Sequence, residues 1–571
     1  MEGLMQELIF AVGAIFVVSV IAGIVREIRR KRRLAVSVAE NWGRPPENDF
    51  DQSDMKNFSQ LFNLWTRKVS GKAIDDTTWN DLEMDNFYAH INSTLTSMGD
   101  NVLYSMLRTP LLNREPFQDR VDLVNYWTGH KKEREKIMSI LANAGKFSPF
   151  RVDVLVDDAE FLEINNRWVY RILTFVPLLA VPVMFFSLEA GILLMIAAMG
   201  INVLYHVKLA NSIQFGLEAI TQASRMVTLA RTLLKNRVGD LNDRFDRLDE
   251  LYGTLKPMMG KASLNAVTSG FSGNMGMDFI SIINMVFLID IWNYQTSIRF
   301  IRAHHEEFAQ LIEAIGELDA TLCAASYRES LETCCKPEII WNNEDMDLYI
   351  DAEDVVHPLI ENCVPNPVYS SRATLLTGSN ASGKSTYLKT VGINTIMAHT
   401  LGFCLARRWR SRPLFTITSM ALRDSVLNGE SYFIAEIKSL KRIFSMVNNK
   451  VTCLCIVDEV LRGTNTIERI AASSRLLYSL YGENACIFAA THDVELTHIL
   501  SRYFENRHFE EKVTDDDIEF DYLIKDGRAT TRNAIKLLKT MGFNEDIIRD
   551  ANKAVEDFEM NHSWTQIGST A

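Results

Sequence analysis

The sequence predicts membrane helices joined to an all-α body and followed by an α/β domain with a phosphate-binding loop. Three observations carry this reading. Two apolar zones, one near the N-terminus and one at 172–205, are almost free of charge. Long stretches beside them show apolar periodicity of the helical kind with few Gly or Pro. From about Glu338, short β-branched runs alternate with helical patterns, and one junction between them reads G-x-x-x-x-G-K-S. At about 150 residues per domain, the 571 residues correspond to three to four domains. A hydrophobic share of 47%, with 28 Gly and 13 Pro, excludes a disordered or collagen-like chain.

Leu8 to Val25 is an uncharged stretch of bilayer-spanning length. Glu2 and Glu7 precede it, and Arg26, Arg29, Arg30, Lys31, Arg32 and Arg33 come directly after it. That order is the reverse of a secretory signal, so the stretch reads as an uncleaved anchor with its N-terminus outside and the basic run against anionic lipid. Asn41 to Asp54, with Gly43, Pro45 and Pro46, reads as a linker. Trp79–Arg108 and Leu209–Arg328 read as helical, with a loop region over Gly253–Gly276.

A single helix over Ile172–Tyr205 would measure about 51 Å against a bilayer core of about 30 Å. Two arms, Ile172–Phe186 and Ala190–Tyr205, broken at Ser187–Glu189 and flanked by Trp168, Tyr170 and Tyr205 as interfacial anchors, fit better. A buried soluble hairpin is the alternative. Phe279–Trp292, bounded by Asp278 and Asp290, is too short to span and reads as a core helix.

Lys plus Arg number 60 and Asp plus Glu 72, a net charge of −12. Such a field repels nucleic acid, so DNA binding would need a local basic patch. All eight cysteines lie in the second half, without a C-x-x-C pair or zinc-like histidine spacing. They read as reduced packing thiols, as suits the cytoplasm.

The chemistry concentrates in the last third. Gly378-Ser379-Asn380-Ala381-Ser382-Gly383-Lys384-Ser385, followed by Thr386, sits between the strand-like Ala373–Thr377 and a helical run. Its glycines let backbone amides wrap phosphate oxygens, Lys384 neutralises the β- and γ-phosphates of ATP, and the Ser385 hydroxyl can ligate Mg²⁺. Cys453-Leu-Cys-Ile-Val-Asp458-Glu459 is an apolar strand ending in two carboxylates. Asp458 is placed to hold Mg²⁺ through water, and Glu459 to orient or deprotonate the attacking water. Ala485–Ala490 is a further strand ending at Thr491-His492-Asp493, where His492 can sense the γ-phosphate.

Together these motifs resemble the ATPase of the MutS family, a branch of the ABC-type P-loop ATPases. His357-Pro358-Leu359 and Val364-Pro365-Asn366 are similar to the family's lead-in to the domain, and Arg462–Thr466 to the segment after its carboxylates. Asn428-Gly429-Glu430-Ser431-Tyr432-Phe433 is similar to its signature segment, and the resemblance implies that Gly429 and Ser431 reach the nucleotide of the opposite subunit of a homodimer. Thr94–Gly99, Leu107, Pro110-Leu111 and Arg120, with Leu318-Asp319-Ala320 and Ala324–Arg328, resemble the family's helical core and lever.

Two departures stand out. Family members that read mismatches carry an N-terminal domain with a Phe-x-Glu wedge, for which the about 45 residues between the basic run and Trp79 leave no room. Phe161-Leu-Glu163 and Phe509-Glu-Glu511 fit the tripeptide by chance. Ser379 and Ala381 stand where Pro and Met are usual.

The resulting division is 1–33 anchor and basic stop, 34–78 linker, 79–170 and 207–337 the two parts of the MutS-like core, 171–206 a membrane hairpin, 338–560 the ATPase domain and 561–571 a tail. The expected protein is a membrane-anchored, multi-pass, Mg²⁺-dependent ATPase with a cytoplasmic motor, acting as a homodimer against the lipid bilayer. A membrane-tethered DNA mismatch-binding protein is the alternative, and an ABC-type transporter is weaker still.

Overall fold

A computed structural model describes residues 2–66, 73–157, 162–164, 167–260, 286–342, 348–379, 382–420, 432–447, 451–462, 464–513, 518–529, 534–561, 563–564 and 566–567, with only the backbone path for 2–17. Its helices are α1 (Glu2–Glu40), α2 (Gln52–Phe58), α3 (Gln60–Thr66), α4 (Asp76–Asp81), α5 (Met84–Ile91), α6 (Ser97–Arg108), α7 (Arg114–Gly129), α8 (Lys131–Ala144), α9 (Val152–Val156), α10 (Arg167–Phe186), α11 (Leu188–Lys235), α12 (Asn242–Leu255), α13 (Ile289–Ala303), α14 (His305–Ser330), α15 (Lys384–Thr400), α16 (Tyr432–Val447), α17 (Thr466–Tyr481), α18 (Val494–Ile499), α19 (Ala534–Thr540) and α20 (Glu545–Asn561). The chain divides into two compact units: Met1–Gly71 with Ala89–Met106 and Asp122–Ser330, and Lys72–Tyr88 with Leu107–Val121 and Leu331–Ala571.

The first unit is helical among its described residues. Phe308, Leu311, Ile312, Ile315, Leu318 and Leu322 recur at three- and four-residue steps on α14 and are all buried. The same helix carries a buried acid, Asp319, which accepts from Leu95 N (3.0 Å), Thr96 N (2.7 Å) and Thr96 Oγ1 (2.6 Å) at the start of α6. Burial pushes the Asp319 pKa up to about 6 against these bonds. That contact also accounts for Gly99, because a Cβ there would sit 2.2 Å from Asp319 Oδ2.

Three sequence expectations need adjustment. The second apolar arm does not stop at Tyr205: α11 runs on to Lys235, since Ala219, Ile220, Ala223, Met226, Val227, Ala230 and Leu233 keep an apolar, buried stripe going. The break falls at Ser187, whose hydroxyl caps α11 by accepting from Ala190 N. Gly253 lies inside α12 rather than in a loop, because Phe245, Leu248, Leu251 and Leu255 bury one face across it and outweigh a glycine cost of about 1 kcal/mol. Residues 261–276 lie outside the described residues, as does 279–285 of the expected core helix; α13 begins at Ile289 after Leu288, which is left-handed at φ 51°.

Among the described residues, two helices are long and apolar enough to cross a membrane: Trp168–Phe186 and Leu188–Leu209, with mean hydropathies of 2.0 and 1.9 and only 17% of each window buried. Phe175, Leu179, Phe185, Phe186, Leu193, Ile196 and Leu204 point outward. The arms meet closely at Gly191, where a Cβ would lie 2.7 Å from Met184 N. Buried Asn202 donates to Leu173 O (2.9 Å) and Val286 O (2.6 Å). Most of each arm is thus unburied within the described residues.

In the second unit, strands β4 (Ala373–Thr377), β6 (Phe415–Ser419), β7 (Cys453–Asp458), β8 (Ala485–Ala490), β9 (Glu505–His508) and β12 (Lys525–Asp526) make a sheet in the order β12-β9-β4-β8-β7-β6. All its pairings are parallel except β12 with β9. β4 and β8 are buried along their whole length, as strands covered on both faces must be. A second sheet, β1-β5-β2-β3, comprises Glu338–Ile339, Arg408–Ser411, Ile350–Val355 and Asn366–Ser370, and β10 (Glu511–Val513) pairs with β11 (Ile518–Phe520). Residues 72–88 belong with this unit because α4 covers β6: Asp81 Oδ2 accepts from Thr418 Oγ1 (2.6 Å) and Met420 N (2.9 Å). The carboxyl ends of β4, β7 and β8 point to one edge of the sheet, where ligands bind in open α/β folds.

Candidate nucleotide site

The phosphate loop links the buried strand β4 to α15. Gly378 has φ +146°, and a Cβ on it would lie 2.8 Å from Phe509 O; Gly383, at φ +106°, is the residue before the helix. Only glycine meets both demands without strain. Lys384 is buried and donates to Gly378 O and Ser379 O, each at 2.7 Å, while Ser382 Oγ donates to Ser379 O at 2.8 Å. Burial lowers the Lys384 pKa, with Asp458, Glu459 and Glu511 acting in the opposite sense.

At the end of β7, Asp458 Oδ2 accepts from Ser385 Oγ at 2.6 Å, and Asp458 Oδ1 is buried without a hydrogen-bond partner. Burial raises the Asp458 pKa. An orphaned carboxylate oxygen beside a hydroxyl is the donor set a Mg²⁺ ion fits.

Glu459 stands next in the left-handed region at φ 58°, a conformation costing a non-glycine residue about 1–2 kcal/mol. Its amide donates to Ala490 O at 2.9 Å, and its carboxylate lies 2.7 Å from His492 Nε2 and 2.9 Å from Arg462 Nε. The hydrogen bond from His492 is the main cause of its lowered pKa, ahead of the opposing burial. Thr491 N donates to Leu376 O at 2.9 Å, which brings the end of β8 level with the loop. Thr386 lies in the first turn of α15.

Beside these groups opens a cavity of about 580 Å³, lined among others by Ile360, Val364, Asn366, Lys384, Glu459 and Tyr522. Asn366 ties its walls together: its side chain donates to Tyr522 O at 2.8 Å and accepts from Ile524 N at 2.8 Å. His357 is held neutral, with burial lowering its pKa to about 4. The structure thus brings together Gly378, Ser379, Ser382, Gly383, Lys384, Ser385, Thr386, Asp458, Glu459 and His492. Asn380, Ala381, Gly429 and Ser431 lie outside the described residues.

Residues 374–559 match the family model described as MutS domain V. This part of the chain belongs to the MutS family. Proteins named DNA mismatch repair protein MutS resemble it: 31% identity over 275 residues in Aquifex pyrophilus, 30% over 262 in Fervidobacterium nodosum and 28% over 269 in Thermotoga maritima. These matches cover 44–46% of the chain and 31–33% of each relative. The chain thus aligns with about a third of these relatives' length.

Within this MutS domain, one functional residue escaped the motif reading. Glu436 on α16 is buried, and its Oε1 accepts from the amides of Leu461 and Arg462. It fixes the turn that carries Glu459. A lone Glu on the otherwise apolar face of α16 was the available signal. Glu436→Ala is expected to cost about 1–3 kcal/mol by leaving two amides unpaired, read as a lowered unfolding temperature together with slower ATP turnover. Unchanged values for both would refute the assignment.

Of the wedge-like tripeptides, Phe161 lies outside the described residues, and Glu163 is ion-paired with Arg302 (3.0 Å) and Arg299 (3.3 Å). The cysteines described are all free thiols, and those in β7 and β8 are buried.

Proposed function

We propose that this chain is a Mg²⁺-dependent ATPase of MutS type that works as a homodimer and is held in the cell membrane by several spans, with its motor domain in the cytoplasm. The observation that carries the catalytic part is Glu459, ionised and gripped by His492 and Arg462, next to the Ser385–Asp458 pair and Lys384. In this arrangement Lys384 and the loop amides bind the phosphates, and Glu459 orients a water and takes its proton. His492 holds that carboxylate and reports on the terminal phosphate. Mg²⁺, held by Ser385 and Asp458, would neutralise charge on the phosphates.

A second copy is supported by apolar side chains that the C-terminal segment leaves exposed, among them Met541, Phe543, Ile547 and Trp564. The signature segment with Gly429 and Ser431 would complete the partner's site. The outward apolar faces of α10 and the first half of α11 support insertion, and the basic run at 26–33 supports a cytoplasmic position for the chain beyond residue 33. DNA binding, by analogy with the mismatch repair relatives, is the second reading, and the net charge of −12 disfavours it.

The topology has a direct test. A cysteine introduced within Ser187–Glu189 of a cysteine-free chain is expected to react with an impermeant maleimide in intact cells, and one in the C-terminal tail only after lysis. The reverse pattern overturns the orientation, and equal access to both overturns the spans.

A further inference from the structure

Glu511 ends the second chance tripeptide and has no part in the mechanism above, yet the fold brings it to the phosphate loop. It opens β10, is 6% exposed, and accepts a 2.7 Å hydrogen bond from Ser379 Oγ. Phe509 fixes this approach: its amide donates to Thr377 O at 3.0 Å, and its carbonyl is the atom that would meet a Cβ on Gly378. The strand is therefore laid along the first two residues of the loop. Lys384 then sits in the field of three carboxylates, Asp458, Glu459 and Glu511. Two of these serve metal and water; the third faces the loop from behind.

We propose that Glu511 is a counter-charge built into the phosphate site, which lowers affinity for the polyphosphate of ATP and makes binding depend steeply on a divalent cation. The proposal rests on the nucleotide reading given above and adds the regulation of that site. A buried carboxylate repels a polyphosphate far more than a surface one does, because neither water nor salt screens it well. A divalent cation on the phosphates cancels much of that repulsion. Ser379 is the positioning residue: its hydroxyl tethers the carboxylate, at a position where the resembled family usually carries a proline that has no donor.

The test is equilibrium titration of the full-length, detergent-purified chain with ATP, once with Mg²⁺ and once with EDTA. Glu511→Gln keeps the shape and an acceptor for Ser379 while deleting the charge. Its affinity is expected to rise about tenfold in EDTA and about two- to threefold with Mg²⁺. Ser379→Ala, which keeps the charge but removes the hydroxyl's hydrogen bond to it, is expected to give a rise of about two- to threefold in EDTA, and it serves as the deciding variant should Glu511→Gln unfold at lower temperature.

Unchanged or weaker binding in Glu511→Gln, or an equal rise with and without metal, overturns the proposal. ATP binding that Lys384→Ala abolishes and Glu511→Gln leaves alone overturns this inference only. Absence of ATP binding in every form, wild type included, overturns the nucleotide reading and this inference with it.

Discussion

Glu459→Gln is expected to bind ATP with near wild-type affinity while its turnover falls by about 100- to 10,000-fold, the range lost when a positioned general base is removed. The glutamine keeps the length of the side chain and one acceptor oxygen for His492, so the geometry around the terminal phosphate survives. What goes is the negative charge. In the wild type that charge is secured by the hydrogen bond from His492 Nε2 at 2.7 Å and by Arg462 at 2.9 Å, which hold the carboxylate ionised below its ordinary range. An amide cannot take the proton of an attacking water. Steady-state phosphate release beside a nucleotide titration separates the two effects, and turnover within threefold of wild type would mean that another group is the base.

Lys384→Ala should instead abolish binding, with an affinity loss of at least about 100-fold. The ammonium group is buried at 4% exposure and already makes two 2.7 Å hydrogen bonds to the carbonyls of Gly378 and Ser379. Those bonds hold it at the loop, from where it would transfer to phosphate oxygens with little reorganisation. Its removal takes away the buried cation that offsets Asp458, Glu459 and Glu511, so an incoming polyphosphate would meet an uncompensated negative site. Titration in Mg²⁺ measures the loss. Retained binding at wild-type affinity would show that the backbone amides alone carry the phosphates.

What was legible in the sequence is what depends on local sterics. The φ values of Gly378 and Gly383 and the two carboxylates ending β7 are written into consecutive residues, so the loop, the Ser385–Asp458 pair and Glu459 are legible from sequence alone. Strands β4 and β8 were legible as continuous apolar runs for the same reason.

Glu436 and Glu511 were not, because their partners stand 25 and 132 positions away and only the fold joins them. Glu511 was visible in the sequence only as the end of a tripeptide set aside as chance. The length of α11 was missed because the bilayer-like composition fades near Tyr205 while the helical period continues beneath it. The covering of β6 by α4 was equally hidden, since Asp81 and Thr418 are separated by most of the chain.

That helix, α11, has a mechanical consequence. At 1.5 Å per residue its 48 residues form a rod about 72 Å long, apolar and outward-facing in its first half and packed among helices in its second. It is unbroken by proline, so it transmits rotation rather than absorbing it at a hinge. A tilt of only about 5° about one end displaces the other by about 6 Å, more than a full helical turn of about 5.4 Å. In the membrane setting proposed above, lateral pressure or thickness changes in the lipid would therefore reach the buried half as a movement of several ångströms, without any change in the helix itself.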